Sequence, residues 1–530
     1  MKVGKIARLG VAVASPLCIF TSFKQKDPQQ PNILFILADD YGWRDTGATG
    51  SDYYETPNID RIAQNGVNFT RSYAACQVSS PSRASLMTGL FTTRHGITDW
   101  IGEKSGKEWR AMGRHDRLLP ADYAHELDYE HLQCLPQLLH DGGYTTFMAG
   151  KWHLGENSTP EKAGFEINIG GYSAGHPAAG YFTPYNNPKL PDGPKGENLS
   201  MRLAKETSSF LERQAAAKDA RPFFVYLSFY AVHAPIQTTR QNWQHFRDKA
   251  VAQGATEGNT FLVDRNLPVN QRQDNPVYAG LIKQMDDAVG VVLDKLQELG
   301  LDENTIVIFT SDNGGVSSGD NYSTSNLPFR GGKGRQWEGG LRVPLFVSVP
   351  GNRLRGTSDD TPVCTVDMYP TVLDYAGVRC PEGLDGVSIR PLMHGRRIAR
   401  RPLYWHYPHY GNQGGDPSSV IIEGDWKLIY YHEDGHNELY KLSEDLGEQN
   451  DLALRHPGRV KRMSAGLQAW LVETGAIMPQ PDSTFDQAAH DAFRKAECEK
   501  VIRRESHLHD RRLAPDFRPN ADWWGSGTID

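Results

Sequence analysis

From Pro31 onwards, continuous apolar runs alternate with amphipathic stretches. Asn32 to Leu37 (NILFIL) is one such run, the pattern of a parallel strand covered on both faces. Tyr144 to Ala149, Phe223 to Phe229, Thr305 to Ser311 and Leu345 to Val349 repeat it. The helices between them have legible ends. Thr56-Pro57 starts one, with a cap residue ahead of a proline at the first helical position; Ile59, Ile62 and Ala63 form its apolar face and Gly66 ends it. Asn275-Pro276 opens a longer one, with Leu281, Met285, Ala288, Val292, Leu296 and Leu299 at helical spacing and Gly300 closing it. Buried strands alternating with helices predict an α/β fold with a large, mostly parallel central sheet flanked by helices.

The texture changes around Arg396-Arg397-Ile398-Ala399-Arg400-Arg401. Leu403 to Tyr407, Ser419 to Glu423, Trp426 to Tyr431 and Glu438 to Leu442 read as short strands joined by Gly- and Asp-rich turns, and Leu467 to Val472 as part of a closing helix. This predicts a smaller C-terminal α+β domain with an antiparallel sheet over 396–480, behind a catalytic domain over 31–395. Residues 481–530 form a polar tail with a helix from Asp486 to Arg504 and little sign of a core. At the other end, Lys2, Lys5 and Arg8 precede an apolar run from Leu9 to Phe23 that Pro16 interrupts. A basic segment ahead of a short apolar one reads as a signal for export over 1–26, with Ala12-Val13-Ala14 as a cleavage site and Cys18 as an alternative point of lipid attachment. The expectation is an exported protein, periplasmic or lipid-anchored at the cell surface, with no transmembrane span in the mature chain.

Composition narrows the field. The 530 residues carry 57 Lys plus Arg against 64 Asp plus Glu, a net charge of -7. That is a poor balance for coating nucleic acid, which takes a basic stripe to displace counterions. A local cluster of Lys, Arg and His still suits a small anionic substrate. Six scattered cysteines, with no CxxC pair, give neither a disulfide scaffold nor a zinc site.

The chemistry concentrates at strand ends. Asp39-Asp40 directly follows the NILFIL strand, and Asp312-Asn313-Gly314-Gly315 follows Thr305 to Ser311 in the same manner. Ligands of open α/β sheets bind past the carboxyl ends of strands. Adjacent carboxylates repel unless a cation lies between them. Three carboxylates and an amide are hard oxygen ligands, which favour Ca²⁺ or Mg²⁺ over zinc.

Ser79-Ser80-Pro81-Ser82-Arg83-Ala84-Ser85-Leu86-Met87-Thr88-Gly89 resembles the signature of the type I sulfatases of the alkaline phosphatase superfamily, (Cys or Ser)-x-Pro-Ser-Arg-x-x-x-(Leu or Met)-Thr-Gly, at every fixed position. The resemblance implies that a maturase oxidises Ser79 to formylglycine, whose aldehyde hydrate is the nucleophile. A plain serine would end as a stable sulfate ester, whereas a geminal diol attacks with one hydroxyl and expels sulfate when the other loses its proton. A serine here, with Cys76 out of register, is similar to the serine-type enzymes matured by an anaerobic radical enzyme. The likeness extends over Pro31 to Gly395. It implies Ca²⁺ ligation by Asp39, Asp40, Asp312, Asn313 and the modified residue 79, with Arg83 holding the hydrated aldehyde. Gly150-Lys151-Trp152-His153-Leu154-Gly155 is similar to a family segment in which Lys151 contacts sulfate and nucleophile and His153 handles the hydroxyl proton during release. His233, in Val232-His233-Ala234-Pro235, resembles the histidine beside the leaving oxygen, its imidazole suited to proton transfer near neutrality. Lys333, in Arg330-Gly331-Gly332-Lys333-Gly334, resembles the second sulfate-binding lysine.

The implied substrate is a sulfate monoester, here a sulfated glycan. Asp99, Trp100, His176, His406, His409 and Tyr410 are candidates for gripping the sugar, through stacking and hydrogen bonds to hydroxyls. The Pro- and Gly-rich stretch Tyr181 to Gly196 is expected to rim the cleft. Trp405 to Ala453 resembles bacterial carbohydrate sulfatases, implying exo-action on galactose or N-acetylgalactosamine sulfated at O4 or O6. Two alternatives stay open: a phosphate or phosphonate ester hydrolase of the same superfamily, and a non-catalytic binder of sulfated glycans should Ser79 remain unmodified.

Overall fold

Eight strands form the central sheet of the computed structural model, which describes residues 1, 30–218, 220–257 and 261–519. The export signal expected over 1–26 lies outside the described residues save for Met1, as do Cys18 and residues 520–530 of the tail. In spatial order the strands are Thr357–Asp359, Val67–Phe69, Leu345–Ser348, Thr305–Ser311, Asn32–Ala38, Phe223–Ser228, Thr145–Gly150 and Ile167–Ile169. All neighbours pair in parallel except around Leu345–Ser348, which is antiparallel to both of its partners. The sheet is therefore mixed but mostly parallel.

The strand Asn32–Ala38 is apolar from residue 33 onwards because alternate side chains point to opposite faces and both faces are covered. Leu34, Ile36 and Ala38 face one layer, with Leu281, Met285 and Val289 of the helix Pro276–Glu298. Ile33, Phe35 and Leu37 face the other, with Leu86 and Met87 of the helix Ser79–Thr88 and Tyr369 of the helix Met368–Ala376. Each such side chain, once fully buried, contributes roughly 1.5–3 kcal/mol, and together they clamp the central strands whose ends carry the chemistry.

The C-terminal sheet is an antiparallel meander of Leu403–Tyr407, Ser418–Glu423, Trp426–Tyr431 and Asn437–Lys441. The helix Pro457–Glu473 covers it through Met463, Leu467, Trp470 and Leu471, and the same cluster includes Trp337 and Leu341 from the catalytic domain. The C-terminal sheet and the catalytic domain thus share one apolar interface a few residues from Lys333.

The tail departs from expectation. Its helix runs from Gln487 to Leu513, nine residues beyond Arg504, and it has a core side. Val501, Leu513 and Phe517 are buried, and the Trp243 indole donates to the Arg512 carbonyl at 2.9 Å. Gln480–Pro481 pairs with Leu118–Leu119, and Arg494 forms an ion pair with Asp116 at 2.6 Å, so the tail straps the catalytic domain. Among the described residues no helix is long and apolar enough to cross a membrane.

Candidate active site

Neighbouring parallel strands end side by side, and this alone brings distant residues together. Asn32–Ala38 delivers Asp39 and Asp40, Thr305–Ser311 delivers Asp312 and Asn313, Thr145–Gly150 delivers Lys151, and Phe223–Ser228 leads into His233. Gly150 permits the approach: it adopts φ 107°, and a Cβ there would overlap the Ser228 carbonyl oxygen. Ser79 is the first residue of the helix Ser79–Thr88, after the extended Val78, and every residue of that helix is buried. Its amino-terminal end, with unpaired N–H groups, faces the carboxylates and suits negative charge.

The Ser79 hydroxyl lies at the centre. It is 3.2 Å from Asp39 Oδ1 and 3.4 Å from Asn313 Oδ1, and Lys151 Nζ donates to it at 3.3 Å. Lys151 also holds Asp39 Oδ2 at 2.7 Å. Arg83 reaches Asp312 Oδ2 through both Nε and a terminal nitrogen at 2.8 Å, and its other terminal nitrogen donates to Ser228 Oγ at 2.8 Å and the Lys151 carbonyl at 3.1 Å. Lys333 Nζ holds Asp40 Oδ2 at 2.8 Å, and Asn313 Nδ2 donates to Asp40 Oδ1 at 2.9 Å. His233 Nδ1 faces the Ala234 carbonyl at 2.7 Å, an acceptor only, so Nδ1 carries the hydrogen. Nε2 is left facing the cluster, 3.7 Å from Asp40. His153, at φ 60°, packs its ring against Gly175, and its buried Nδ1 has no hydrogen-bond partner. The expected catalytic and metal residues thus occupy one buried site.

Acidic and basic side chains are interleaved. Three carboxylates face Arg83, Lys151 and Lys333, all buried. Burial opposes ionisation of Asp312, but Arg83 and then Lys151 overcome it and hold the carboxyl well below the usual range. Asp40 is lowered despite burial, chiefly by Lys333. Asp39 goes the other way, to about 8, because burial and the neighbouring Asp312 and Asp40 outweigh Lys151. Burial pushes Lys151 down against the pull of Asp39. The oxygens of Asp39, Asp40 and Asp312 lie within 4.8 Å of one another. A buried all-oxygen set with an amide alongside fits a hard divalent cation such as Ca²⁺.

His233 does not match the near-neutral imidazole expected of it. Burial, helped by Lys333 and Lys151 and opposed by Asp40 and the hydrogen bond to the Ala234 carbonyl, pushes it down to about 4. In the free protein it is neutral at physiological pH.

The sugar-binding candidates separate into two groups. Trp100 is half-buried next to the nucleophile, since the N–H of Ile101 donates to Ser80 Oγ at 3.1 Å. His176 is exposed, its ring 6.5 Å from that of His233 and nearly parallel to it. The other four are packing residues. His406 is buried between Ser419 Oγ at 2.8 Å and the Ile477 carbonyl at 3.0 Å. Tyr410 stacks on Trp109 and donates to Glu433 at 2.5 Å. His409 is held by Thr98 Oγ1 at 2.8 Å, and Asp99 accepts from the Tyr407 hydroxyl at 2.9 Å. All four are 3 % exposed or less, His406 within the strand Leu403–Tyr407 and the other three in loops packed around it. In the stretch 181–196, expected to rim the cleft, Tyr181 is buried and its hydroxyl donates to the Tyr230 and His233 carbonyls at 2.7 and 2.8 Å, so it holds the backbone at His233.

Sequence reasoning passed over three residues here. Ser228, the last residue of a core strand, holds Arg83, and the strand-end rule that found Asp39 applies equally to it. Asp320 lies 3.6 Å from Lys333 Nζ, and Gln413 Nε2 donates to Asp320 at 2.9 Å. Both stand in polar loops with no local pattern to mark them.

Residues 31–378 match the family described as Sulfatase, and residues 333–473 match N-sulphoglucosamine sulphohydrolase, C-terminal. A protein of Formosa agariphila named Sulfatase is 29% identical, with 90% of this chain and 94% of that protein aligned. An N-acetylgalactosamine-6-sulfatase of Canis lupus familiaris is 32% identical over 76% of this chain and 72% of its own. Among solved structures, Ps i-CgsB in complex with k-i-k-neocarrahexaose superposes with a TM-score of 0.67 at 24% identity, covering 90% of this chain and all of that one. BT4656 in complex with D-glucosamine-2-N,6-O-disulfate gives 0.64 at 20% identity, covering 87% of this chain and 100% of that one, a likeness of fold.

Proposed function

The chain belongs to the sulfatase family of sulfuric ester hydrolases, and we propose that it removes sulfate from sugars, using a formylglycine formed from Ser79. The observation that carries this reading is the placement of the Ser79 side chain between Asp39, Asn313 and Lys151, at the amino-terminal end of its helix. The sugar is galactose or N-acetylgalactosamine sulfated at O4 or O6, in keeping with the N-acetylgalactosamine-6-sulfatase relative. The protein is exported to the periplasm or the cell surface, where such glycans are met, and an anaerobic maturase completes it beforehand.

Each residue then has a task. A Ca²⁺ held by Asp39, Asp40, Asp312 and Asn313 would supply positive charge to the sulfuryl oxygens and to the oxygen of residue 79. Lys151 and Lys333 neutralise the charge that gathers on the sulfuryl oxygens, from fixed positions that need no reorganisation. Arg83, locked by Asp312 and Ser228, keeps the side chain of residue 79 in register. His233 presents Nε2 to the departing sugar oxygen. Since burial, helped by Lys333 and Lys151, holds it neutral in the free protein, it takes up its proton only as the anionic substrate offsets those two lysines. The unpartnered Nδ1 of His153 suits proton movement at residue 79.

The test is peptide mass spectrometry across Ser79, on protein made with a serine-competent maturase and then offered sulfated sugars. Conversion to formylglycine removes two hydrogens, so the peptide loses about 2 Da or appears as its hydrate. Plain serine despite an active maturase would refute the formylglycine reading. The oxidised residue with phosphate esters turned over faster than sulfate esters would favour the phosphatase alternative.

A further inference from the structure

Lys333 has two carboxylates. Asp40 belongs to the buried cluster; Asp320 lies on its other side, towards solvent. Residues 305–326 are buried throughout, except for exposed Asp320, whose side chain is 29 % accessible. Its backbone sits at φ 40°, in the left-handed region that an aspartate adopts at some cost, which marks a position fixed by its surroundings.

Those surroundings are well defined. Ser318 Oγ donates to the Gln413 carbonyl at 2.5 Å, and Arg335, fully buried, donates to the same carbonyl at 2.9 Å and to Ser318 Oγ at 3.0 Å. A Cβ at Gly415 would overlap the Gly334 carbonyl oxygen, so the loop of the C-terminal domain presses directly on the Lys333 segment. Asp320 is thus presented at the mouth of the site on a rigid support. Both contacts to its carboxylate, from Gln413 Nε2 at 2.9 Å and Lys333 Nζ at 3.6 Å, fall on Oδ2. Among the described residues Oδ1 accepts no hydrogen bond.

We propose that Asp320 reads the sugar: its free Oδ1 accepts a hydrogen bond from a hydroxyl or acetamido N–H on the ring that bears the sulfate. This rests on the sulfated-sugar reading above and makes it narrower. While Lys333 grips the sulfate, the carboxylate beside it selects a ring that offers an uncharged donor next to that sulfate. A second sulfate or a carboxylate in the same place meets like charge and is rejected, so the preferred substrate is a monosulfated, otherwise neutral sugar.

The test uses full-length enzyme with formylglycine verified at residue 79, first assayed on N-acetylgalactosamine and galactose sulfated at O4 or O6 and on N-acetylgalactosamine 4,6-disulfate. Wild type is expected to favour its best monosulfated sugar over the disulfate by at least about tenfold in kcat/KM. Asp320→Asn and Asp320→Ala, checked for an unchanged Tm, should lose about 10- to 100-fold on the monosulfated sugar and narrow the preference over the disulfate. Inhibition by inorganic sulfate, which has no ring to read, should stay within about threefold of wild type. Equal wild-type rates on mono- and disulfated sugars, or unaltered sugar kinetics in both variants, would overturn the proposal. So would a loss of sugar turnover matched by an equal loss of sulfate inhibition, which would make Asp320 a support for Lys333 alone. A verified formylglycine enzyme that frees sulfate from no sugar would instead overturn the sulfated-sugar reading itself.

Discussion

His233 is the residue whose surroundings alter its chemistry most. With Nδ1 committed to the Ala234 carbonyl and its pKa pushed down to about 4, it is a proton donor only in the presence of negative charge. A sugar alkoxide leaves poorly and needs that proton; a nitrophenolate does not. His233→Gln is therefore expected to lower kcat on the sulfated sugar by roughly 10²- to 10⁴-fold and to affect nitrophenyl sulfate far less. An equal loss on both substrates would show that His233 serves binding rather than leaving-group protonation. The residues around it were legible because each sits in a short spacing tied to a strand end or a helix start: Asp39-Asp40, Ser79 to Arg83, Lys151, Asp312-Asn313. His406, His409 and Tyr410 were misread for a physical reason. Histidine and tyrosine in a polar stretch have the same composition facing in or out, and what buries them is contact with partners such as Ser419 and Glu433, on later strands and turns that the local pattern does not place against them. Asp320 is the converse case, a polar loop residue that only the packing of its neighbours singles out.

Among the elements, the strand Trp426–Tyr431 ties the C-terminal sheet to the segment behind Lys333. Its Lys427 is buried and pairs with Glu448 at 2.8 Å and Glu338 at 3.2 Å, while Tyr73 and Arg342 hold the other Glu338 oxygen at 3.1 and 3.4 Å. Glu338 starts the short helix that follows the Lys333 loop, so the trio ties that loop to the C-terminal sheet. Removing the cation leaves two buried carboxylates facing each other. Lys427→Met is expected to destabilise the protein by about 3–5 kcal/mol, the typical cost of breaking a buried pair from one side. The loss depends on pH. Burial, with Glu338 beside it, already raises Glu448 to about 7 even with Lys427 present, and the substitution raises it further. A carboxyl raised in the folded state stabilises below its unfolded pKa, and that stability is lost as pH rises through the folded value. The gap in Tm between wild type and variant should therefore be wider at pH 8 than at pH 5, as measured by calorimetry; a gap that narrows would show that the pair is not held by its charge. The strands here were legible from alternation and turns, but the trio was not, since its members are 89 and 110 positions apart from Glu338.

At the scale of the whole molecule the tail is the part that sequence pattern reads least well. Of the 27 residues in Gln487–Leu513 only Val501, Glu505, Arg512 and Leu513 are buried, and two of those are charged, so no apolar stripe marks the helix as packed. Its contacts are nevertheless spread widely. Arg494 meets Asp116, whose other oxygen takes the Trp109 indole at 3.0 Å; His509 meets Asp274 at 3.1 Å; Leu513 and Phe517 join the layer of Trp243 and Phe246. The strap thereby links the segment after Trp100 to the helices against the sheet, and among the described residues it makes no hydrogen bond or ion pair to Asp39, Ser79, Lys151, His233 or Lys333. Ending the chain before Asp486 uncovers Trp243 and leaves Asp116 without its arginine. Three apolar side chains at roughly 1.5–3 kcal/mol each put the loss at several kcal/mol. The truncated enzyme is expected to melt several degrees lower and to bind an apolar dye, while its kcat/KM on nitrophenyl sulfate below that temperature stays near that of the full chain. An unchanged melting temperature would mean that the helix merely lies on the surface. A collapse of kcat/KM in protein that is still folded would place the tail in control of the site through the Trp109–Asp116 segment.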